Sequence, residues 1–351
     1  MIATAAHPAV RAAVDGAIDA AVDRLRSRAE QFGGGFATLG EAIGRAAAGG
    51  KRMRPALVVA AFDALGGDRD ATPAVLEVAA AFELLHTAFV VHDDVIDHDT
   101  QRRGVPNIAG EFRARARGRG ADAAGAALLG DAAAIIAGDL LLHEASRLIA
   151  AADVSAGARK RLLALLDDAV LVSAAGELAD VENAVSGAEA DAILAATRDK
   201  TAVYSFSAPL RAGAVLAGAD AATEAALERC GAALGLAFQL VDDLIGAFGT
   251  LEAAGRTSGG DLREAKQTPL VALARESADW PKVNDALAVA HTGPIGVRDA
   301  QRALAATGAP ARVVSLVDAA LADALRESEP LPAAARNLVA EAAERVRERV
   351  P

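Results

Sequence analysis

Residues 92–104, HDDVIDHDTQRRG, set four aspartates and two adjacent arginines directly after the apolar run ELLHTAFVV (83–91). Crowding like charges at the end of an apolar stretch costs on the order of several kcal/mol unless something neutralises them. On a helix, Asp93 and Asp97 are one turn apart and share a face, with Asp94 about 100° round. That spacing aims two carboxylates at one point, where a hard cation relieves their repulsion. Mg²⁺ favours such oxygens in company with water and substrate phosphate. The planar fork of arginine suits phosphate oxygens. Arg102 and Arg103, next to the aspartates, therefore read as the phosphate side of a site for a metal-bound diphosphate.

The pattern recurs. FVVHDDVIDHD (89–99) is echoed by FQLVDDLIGAFG (238–249), each an apolar helix that ends on an Asp-Asp pair. Asp242 and Asp243 thus form a second acidic helix end, and two such ends read as two walls of one cavity. Cations flank both. Lys51 and Arg54 in GGKRMRP (49–55) stand three residues apart, placed to converge on one anion, and Pro55 is suited to open a helix. Lys200 and Thr201 in RDKTAVY, then Arg256 and Lys266 in GRTSGGDLREAKQT, add positive points near the second pair. One phosphate group does not need so many; two diphosphates account for them better. His86 precedes Asp93 by seven residues, two turns back on nearly the same face, which favours a site role over a core one.

Positioning these residues is work for helices. Of the 351 residues 53% are hydrophobic and only 3% aromatic, an alanine- and leucine-rich balance typical of helical proteins. The net charge of −11 and pI of about 5.1 exclude a globally basic nucleic-acid surface. The single cysteine, Cys230, lies in an apolar stretch and reads as a core residue; a chain without internal disulfides suits a reducing cytoplasm. The charged N-terminal stretch reads as a surface helix and not a signal peptide. No run of about 18 uncharged apolar residues occurs, so a soluble chain without an integral membrane segment is expected.

Helical periodicity predicts segments near 9–30, 37–48, 55–65, 73–97, 122–151, 156–184, 189–218 and 221–248, with shorter ones following. EFRARARGRG (111–120), with arginine at every second position, reads as a solvated basic loop. No strand alternation and no long linker is present. The expectation is an all-α, single-domain helical bundle spanning 1–351 around a deep central cavity. No Ser-His-Asp or Cys-His arrangement stands out, consistent with chemistry that needs no side-chain nucleophile.

In order along the chain, GGKRMRP, ELLHTAFVVHDDVIDHDTQRRG, GELAD, RDKTAVYSFSAP, FQLVDDLIGAFG and GRTSGGDLREAKQT resemble the motifs of the trans-isoprenyl diphosphate synthases, the polyprenyl synthetase family, over about residues 35–275. The resemblance implies condensation of isopentenyl diphosphate with an allylic diphosphate in a cytoplasmic homodimer. It implies Mg²⁺, about three ions, with Mn²⁺ able to substitute. Asp93, Asp94 and Asp97 would be the first aspartate-rich motif, and Asp242 and Asp243 the second. Lys51, Arg54, His86 and Arg103 would hold isopentenyl diphosphate; Arg102, Lys200 and Arg256 would hold the allylic diphosphate. Thr201, Gln239 and Lys266 also fall on motif positions. The chain departs from the pattern at Gly246, where a third aspartate is usual, at Arg256 for a lysine, and at Glu177 for a glutamine. Restoring an aspartate at Gly246 is expected to change the rate modestly.

Product length should depend on the helix before Asp93. Phe89 lies one turn back, about 6 Å along the axis, with Leu85 a further turn on and Phe82 deeper. The family position where an aromatic usually blocks chain growth is Ala88 here. A small Ala88, limited by Phe89 and Phe82, points to geranylgeranyl diphosphate, with farnesyl or longer products as alternatives. Two further readings remain from the sequence: a class I terpene cyclase, which needs no second diphosphate site, and a weakly active partner subunit of a heteromeric synthase.

Overall fold

The computed structural model describes residues 8–102, 104–249 and 259–351. Among the described residues the regular elements are helices apart from a two-residue ladder in which Gln101–Arg102 pairs antiparallel with Val105–Pro106. Backbone contacts group the chain into two compact units: residues up to 164 with 212–218, and 165–211 with 219–351.

In the first unit, α1 (Pro8–Ala29), α2 (Gly34–Ala47), α3 (Met53–Ala64) and α4 (Ala74–Ile96) are followed by α5 (Ile108–Arg117) and α6 (Ala123–Ala151). Helix α4 is the spine, since Val75, Val78, Phe82, Leu84, Leu85 and Ala88 are all fully buried. It packs against α6, α3 and α1. Helix α5 corrects the expected basic loop. Ile108, Ala109, Phe112 and Ala116 form a buried stripe at helical spacing, which the alternating arginines conceal. Asn107 caps the helix by accepting from the Gly110 N–H at 2.9 Å, and its amide donates to the Asp99 carbonyl at 2.9 Å. The arginines are tied down: Arg113 pairs with Asp131 at 2.7 Å, and Arg115 donates to the Thr38 hydroxyl.

The second unit holds most of α7 (Ala156–Ser186), then α8 (Ala190–Ala202) and α10 (Ala221–Phe248). The single helix expected over 189–218 is broken. A five-residue π-helical turn, Val203–Ser207, separates α8 from α9 (Ala208–Leu216). Its Phe206 is fully buried with its ring centroid 5.3 Å from that of Phe238 on α10. Such wide turns widen the helix locally and are common at functional sites. The remaining helices are α11 (Gly260–Arg263), α12 (Pro269–Arg275), α13 (Trp280–Ala288), α14 (Pro294–Ala306), α15 (Ala309–Ser328) and α16 (Ala333–Arg347). Helix α10 runs against α15, α8 and α16. Cys230 is a core residue as expected: it is fully buried on α10, and burial pushes its thiol up to about 11.

By length and composition, α4, α6 and α10 are long and apolar enough to cross a membrane, and the bent pair α14 and α15 passes jointly. Within the chain, 72% of the apolar window of α4 and 61% of that of α10 are buried, so these two spend their apolar residues on the core. For α6 the share is 39%, and Leu128, Ile135 and Ile136 stand exposed along it.

The Asn107 cap yields a test of α5. Asn107→Ala should cost about 1 kcal/mol and lower the melting temperature by roughly 2–4 °C. A variant that melts with the parent would show that the cap does not hold this helix.

Candidate functional site

In the first unit the acidic cluster closes α4. The helix ends at Ile96, and Asp97 is its C-cap, with its N–H donating to the Asp93 carbonyl at 2.8 Å. Asp94 is buried, Asp93 half-buried and Asp97 exposed. The ladder turns the chain back, with Gly104 at φ +79° in the turn, and brings Arg102 to the aspartates. The Arg102 guanidinium places Nε 3.0 Å and Nη2 2.6 Å from Asp94 Oδ1, and Nη2 lies 3.7 Å from Asp93 Oδ2. Burial lifts the Asp94 carboxyl above its ordinary range and the neighbouring Asp93 adds to this, while hydrogen bonds from Arg102 and Asn107 oppose the rise. The sequence assigns Arg102 to phosphate; in this structure its fork rests on a carboxylate.

The basic GGKRMRP segment presents its residues unequally. Lys51 is exposed, whereas Arg54 is buried in the first turn of α3. Arg52, which sequence reasoning passed over, is the anchor. It adopts φ +52°, unusual for a residue with a side chain. Its buried guanidinium holds Asp15 at 2.7 Å, the Ala47 carbonyl at 3.0 Å and Glu83 at 3.1 Å. His86 and Phe89 are half-buried on α4, while Phe82, Leu85 and Ala88 are fully enclosed. Arg103 lies outside the described residues, as does Arg256.

In the second unit the acidic cluster is richer than the sequence suggests. Asp243 is buried and accepts a hydrogen bond from Gln239 Nε2 at 2.9 Å, one turn back on α10. Its carboxyl is pushed up to about 8, first by burial and then by the charges of Asp261, Asp242 and Asp180, with the Gln239 hydrogen bond opposing. Lys200 Nζ bridges Glu177 at 3.0 Å and Asp180 at 3.2 Å. Helix α7 comes close enough for this because Gly176 has no side chain; a Cβ there would overlap the backbone of Lys200. Thr201 is buried beside it. Lys266 lies 3.5 Å from Glu264, and its N–H donates to the Asp261 carbonyl at 3.0 Å. Asp242, half-buried, pairs with Arg349 from beyond the last helix.

Gly246 changes meaning in this setting. A Cβ at that position would collide with the Asp261 carboxylate. The space a third aspartate on α10 would enter is therefore filled by Asp261 from the start of α11, itself buried. Sequence reasoning read Gly246 as a lost carboxylate. The negative charge arrives instead from another element, 15 residues later in the chain. The signal available beforehand was the aspartate in SGGDLREAK, quoted only for its neighbouring cations.

Among the described residues, no three His, Cys, Asp or Glu side chains are disposed to enclose a metal ion by themselves. The donors are nevertheless all carboxylate oxygens, grouped in pairs. That fits Mg²⁺, which uses one or two carboxylates and completes its shell with water and substrate phosphate.

The chain belongs to the polyprenyl synthetase family, whose model matches residues 37–304. Among curated relatives, it is 33% identical over 233 residues to the short chain isoprenyl diphosphate synthase of Methanothermobacter thermautotrophicus, covering 66% of this chain and 65% of that protein. It is 33% identical over 221 residues to the octaprenyl diphosphate synthase of Haemophilus influenzae, covering 63% and 59%. The match thus spans somewhat under two thirds of these relatives' length. Among solved structures, geranylgeranyl pyrophosphate synthase from Corynebacterium glutamicum, complexed with isoprenyl diphosphate and magnesium, superposes with a TM-score of 0.89 at 28% identity, covering 97% of this chain and 98% of that one.

Two predictions follow from the second cluster. Gly246→Asp should not act as a restored ligand; the added Cβ forces Asp261 aside, so the variant should be destabilised by about 1–3 kcal/mol, as should Gly246→Ala. Equilibrium denaturation measures this, and variants as stable as the parent would refute the occupancy of that space by Asp261. The raised Asp243 pKa sets a pH trend. Between about pH 4 and pH 8 the folded chain keeps a proton that the unfolded chain releases, so Asp243 makes stability fall as pH rises through that window and level off above it. Calorimetry without divalent cations should show this fall reduced in Asp243→Asn, and an identical pH profile would refute it.

Proposed function

We propose that this protein is a Mg²⁺-dependent trans-prenyltransferase that joins isopentenyl diphosphate to an allylic diphosphate, giving geranylgeranyl diphosphate. The observation that carries the reading is the pairing of carboxylates with cations at the ends of both α4 and α10, in a chain of this family. Acidic pairs with arginine and lysine alongside are what a cation-carried diphosphate needs.

When bound, Mg²⁺ supplies positive charge that stabilises the departing diphosphate. The chain's own residues supply the rest. Asp93, Asp94 and Asp97 at one helix end, and Asp242 and Asp243 at the other, offer the oxygen ligands. Gln239 orients Asp243 through its hydrogen bond, and Lys200, held by Glu177 and Asp180, keeps an ammonium in place for a diphosphate oxygen. Arg102 neutralises Asp94 and is near enough to Asp93 to share an anion with the cation there. Lys51, Arg54, His86 and Arg103 are assigned to isopentenyl diphosphate, and Arg256 to the allylic partner, from their motif positions; Thr201 and Lys266 complete the set.

The twenty-carbon product is supported by the α4 stripe. Phe82, Leu85 and Ala88 are enclosed, and Phe89 alone of the four is half-buried, one turn from Asp93. The relatives range from short-chain to octaprenyl synthases, so product length is this chain's own property. A homodimer in the cytoplasm is part of the proposal. Leu128 and Ile135, seven residues apart on α6, are 72% and 46% exposed, an apolar stripe suited to a second copy.

The purified chain, given Mg²⁺, isopentenyl diphosphate and dimethylallyl, geranyl or farnesyl diphosphate, should make a twenty-carbon alcohol after dephosphorylation, read by chromatography. Chelation or Asp93→Ala should abolish turnover by orders of magnitude. Consumption of an allylic diphosphate alone would make it a cyclase, and inactivity of the chain alone would make it a partner subunit. Phe89→Ala should lengthen the product. Ala88→Phe should shorten it, at a stability cost of about 1–3 kcal/mol because the site is fully enclosed. An unchanged distribution in both would move the chain-length determinant off α4.

A further inference from the structure

Arg349 lies just past the last helix, in a tail held by hydrogen bonds from its N–H to the Val346 carbonyl at 3.2 Å and from the Val350 N–H to Arg347 at 3.2 Å. Its guanidinium pairs with Asp242 Oδ1 and lies 4.6 Å over the ring of Phe238. Phe238 and Asp242 are one turn apart on α10, so ring and carboxylate form one face and the arginine covers it. The Arg349 side chain is only 19% exposed, and Nη1 is buried with no hydrogen-bond partner among the described residues. An arginine placed solely to stabilise the fold would gain by satisfying that donor. Here Nη2 is committed to Asp242, and the guanidinium also rests on the adaptable face of an aromatic ring.

We propose that Arg349 is a built-in counter-ion of Asp242 that a divalent cation displaces, so that the C-terminal tail sets the cation affinity of the second acidic cluster. The inference rests on the reading of Asp242 as a cation ligand in the proposed function. Its physical basis is direct competition. One carboxylate oxygen cannot serve a guanidinium and a hard dication at full strength, and the like charges repel at that distance. Displacement asks little of the fold, because Arg349 lies past the last helix and its long side chain can swing away without disturbing that helix. Until a cation arrives, Arg349 offsets part of the charge that Asp242 adds beside the buried Asp243.

The test uses Mn²⁺ alone as probe, binding to the full-length chain, followed by electron paramagnetic resonance without substrate. Arg349→Gln should bind Mn²⁺ roughly three- to tenfold more tightly. Arg349→Lys, which keeps the charge but not the fork, should fall between the two. Arg347→Gln, which removes a cation paired with Asp318 at 2.8 Å, should match the parent. Should Arg349→Gln fold poorly, truncation after Glu348 reads the same effect. Unchanged affinity in Arg349→Gln, or equal tightening in Arg347→Gln, overturns the proposal. A parent chain whose Mn²⁺ binding is indifferent to Asp242→Asn overturns the ligand reading of Asp242 itself, a failure distinct from that of the counter-ion alone.

Discussion

Carboxylates packed at the ends of apolar helices repel one another, and water cannot screen them fully once they are buried. This constraint organises the molecule. At the end of α4, Asp94 is buried and its neighbour Asp93 adds charge; the answer is a short ladder that returns Arg102 to both. At the end of α10 the load is greater, with Asp261, Asp242 and Asp180 near enough to raise the proton affinity of the buried Asp243. Three devices offset it: a proton held on Asp243, Lys200 between Glu177 and Asp180, and Arg349 on Asp242. Each device is weaker than a dication would be, so under the proposed function each would yield to one.

The scaffold answers the same requirement by bringing backbones close. Lys200 reaches its two carboxylates because Gly176 lets α7 approach α8 without a side chain between them. The π-helical turn at Val203–Ser207 then redirects the chain so that Phe206 can pack on Phe238, the residue whose ring also carries Arg349. An apolar contact thereby fixes the face on which the charged pair sits.

The all-α architecture and the two Asp-Asp helix ends were legible in the sequence because each rests on a local periodicity and a charge pattern within a few residues. What was not legible depended on partners far along the chain. Helix α5 was hidden because arginine at every second position masks the apolar positions 108, 109, 112 and 116, and only their burial reveals the stripe. The break at 203 leaves no trace in helical periodicity, since a single wide turn shifts the phase of the apolar face without ending it. Arg102 was read as a phosphate ligand from its adjacency to a turn, yet a turn that brings it back to α4 also brings it to Asp94. Asp261 was overlooked because a carboxylate 15 residues from Gly246 carries no spacing rule that would connect them.

Product length resists sequence reasoning for a related physical reason. Under the proposed function residues on α4 meet the growing chain, and the effect of each depends on the wall opposite. Phe82 and Leu85 are fully enclosed, so their rotamers are set by neighbours from α6, α3 and α1, none of which the local motif names. A family signature fixes where charge must sit, because charge must meet a diphosphate at the same place whatever its tail. The apolar wall obeys no such rule, since many combinations of side chains can leave the same depth. Relatives of this chain are accordingly short-chain and octaprenyl synthases alike. The chemistry is written in short motifs, and the length is written in packing.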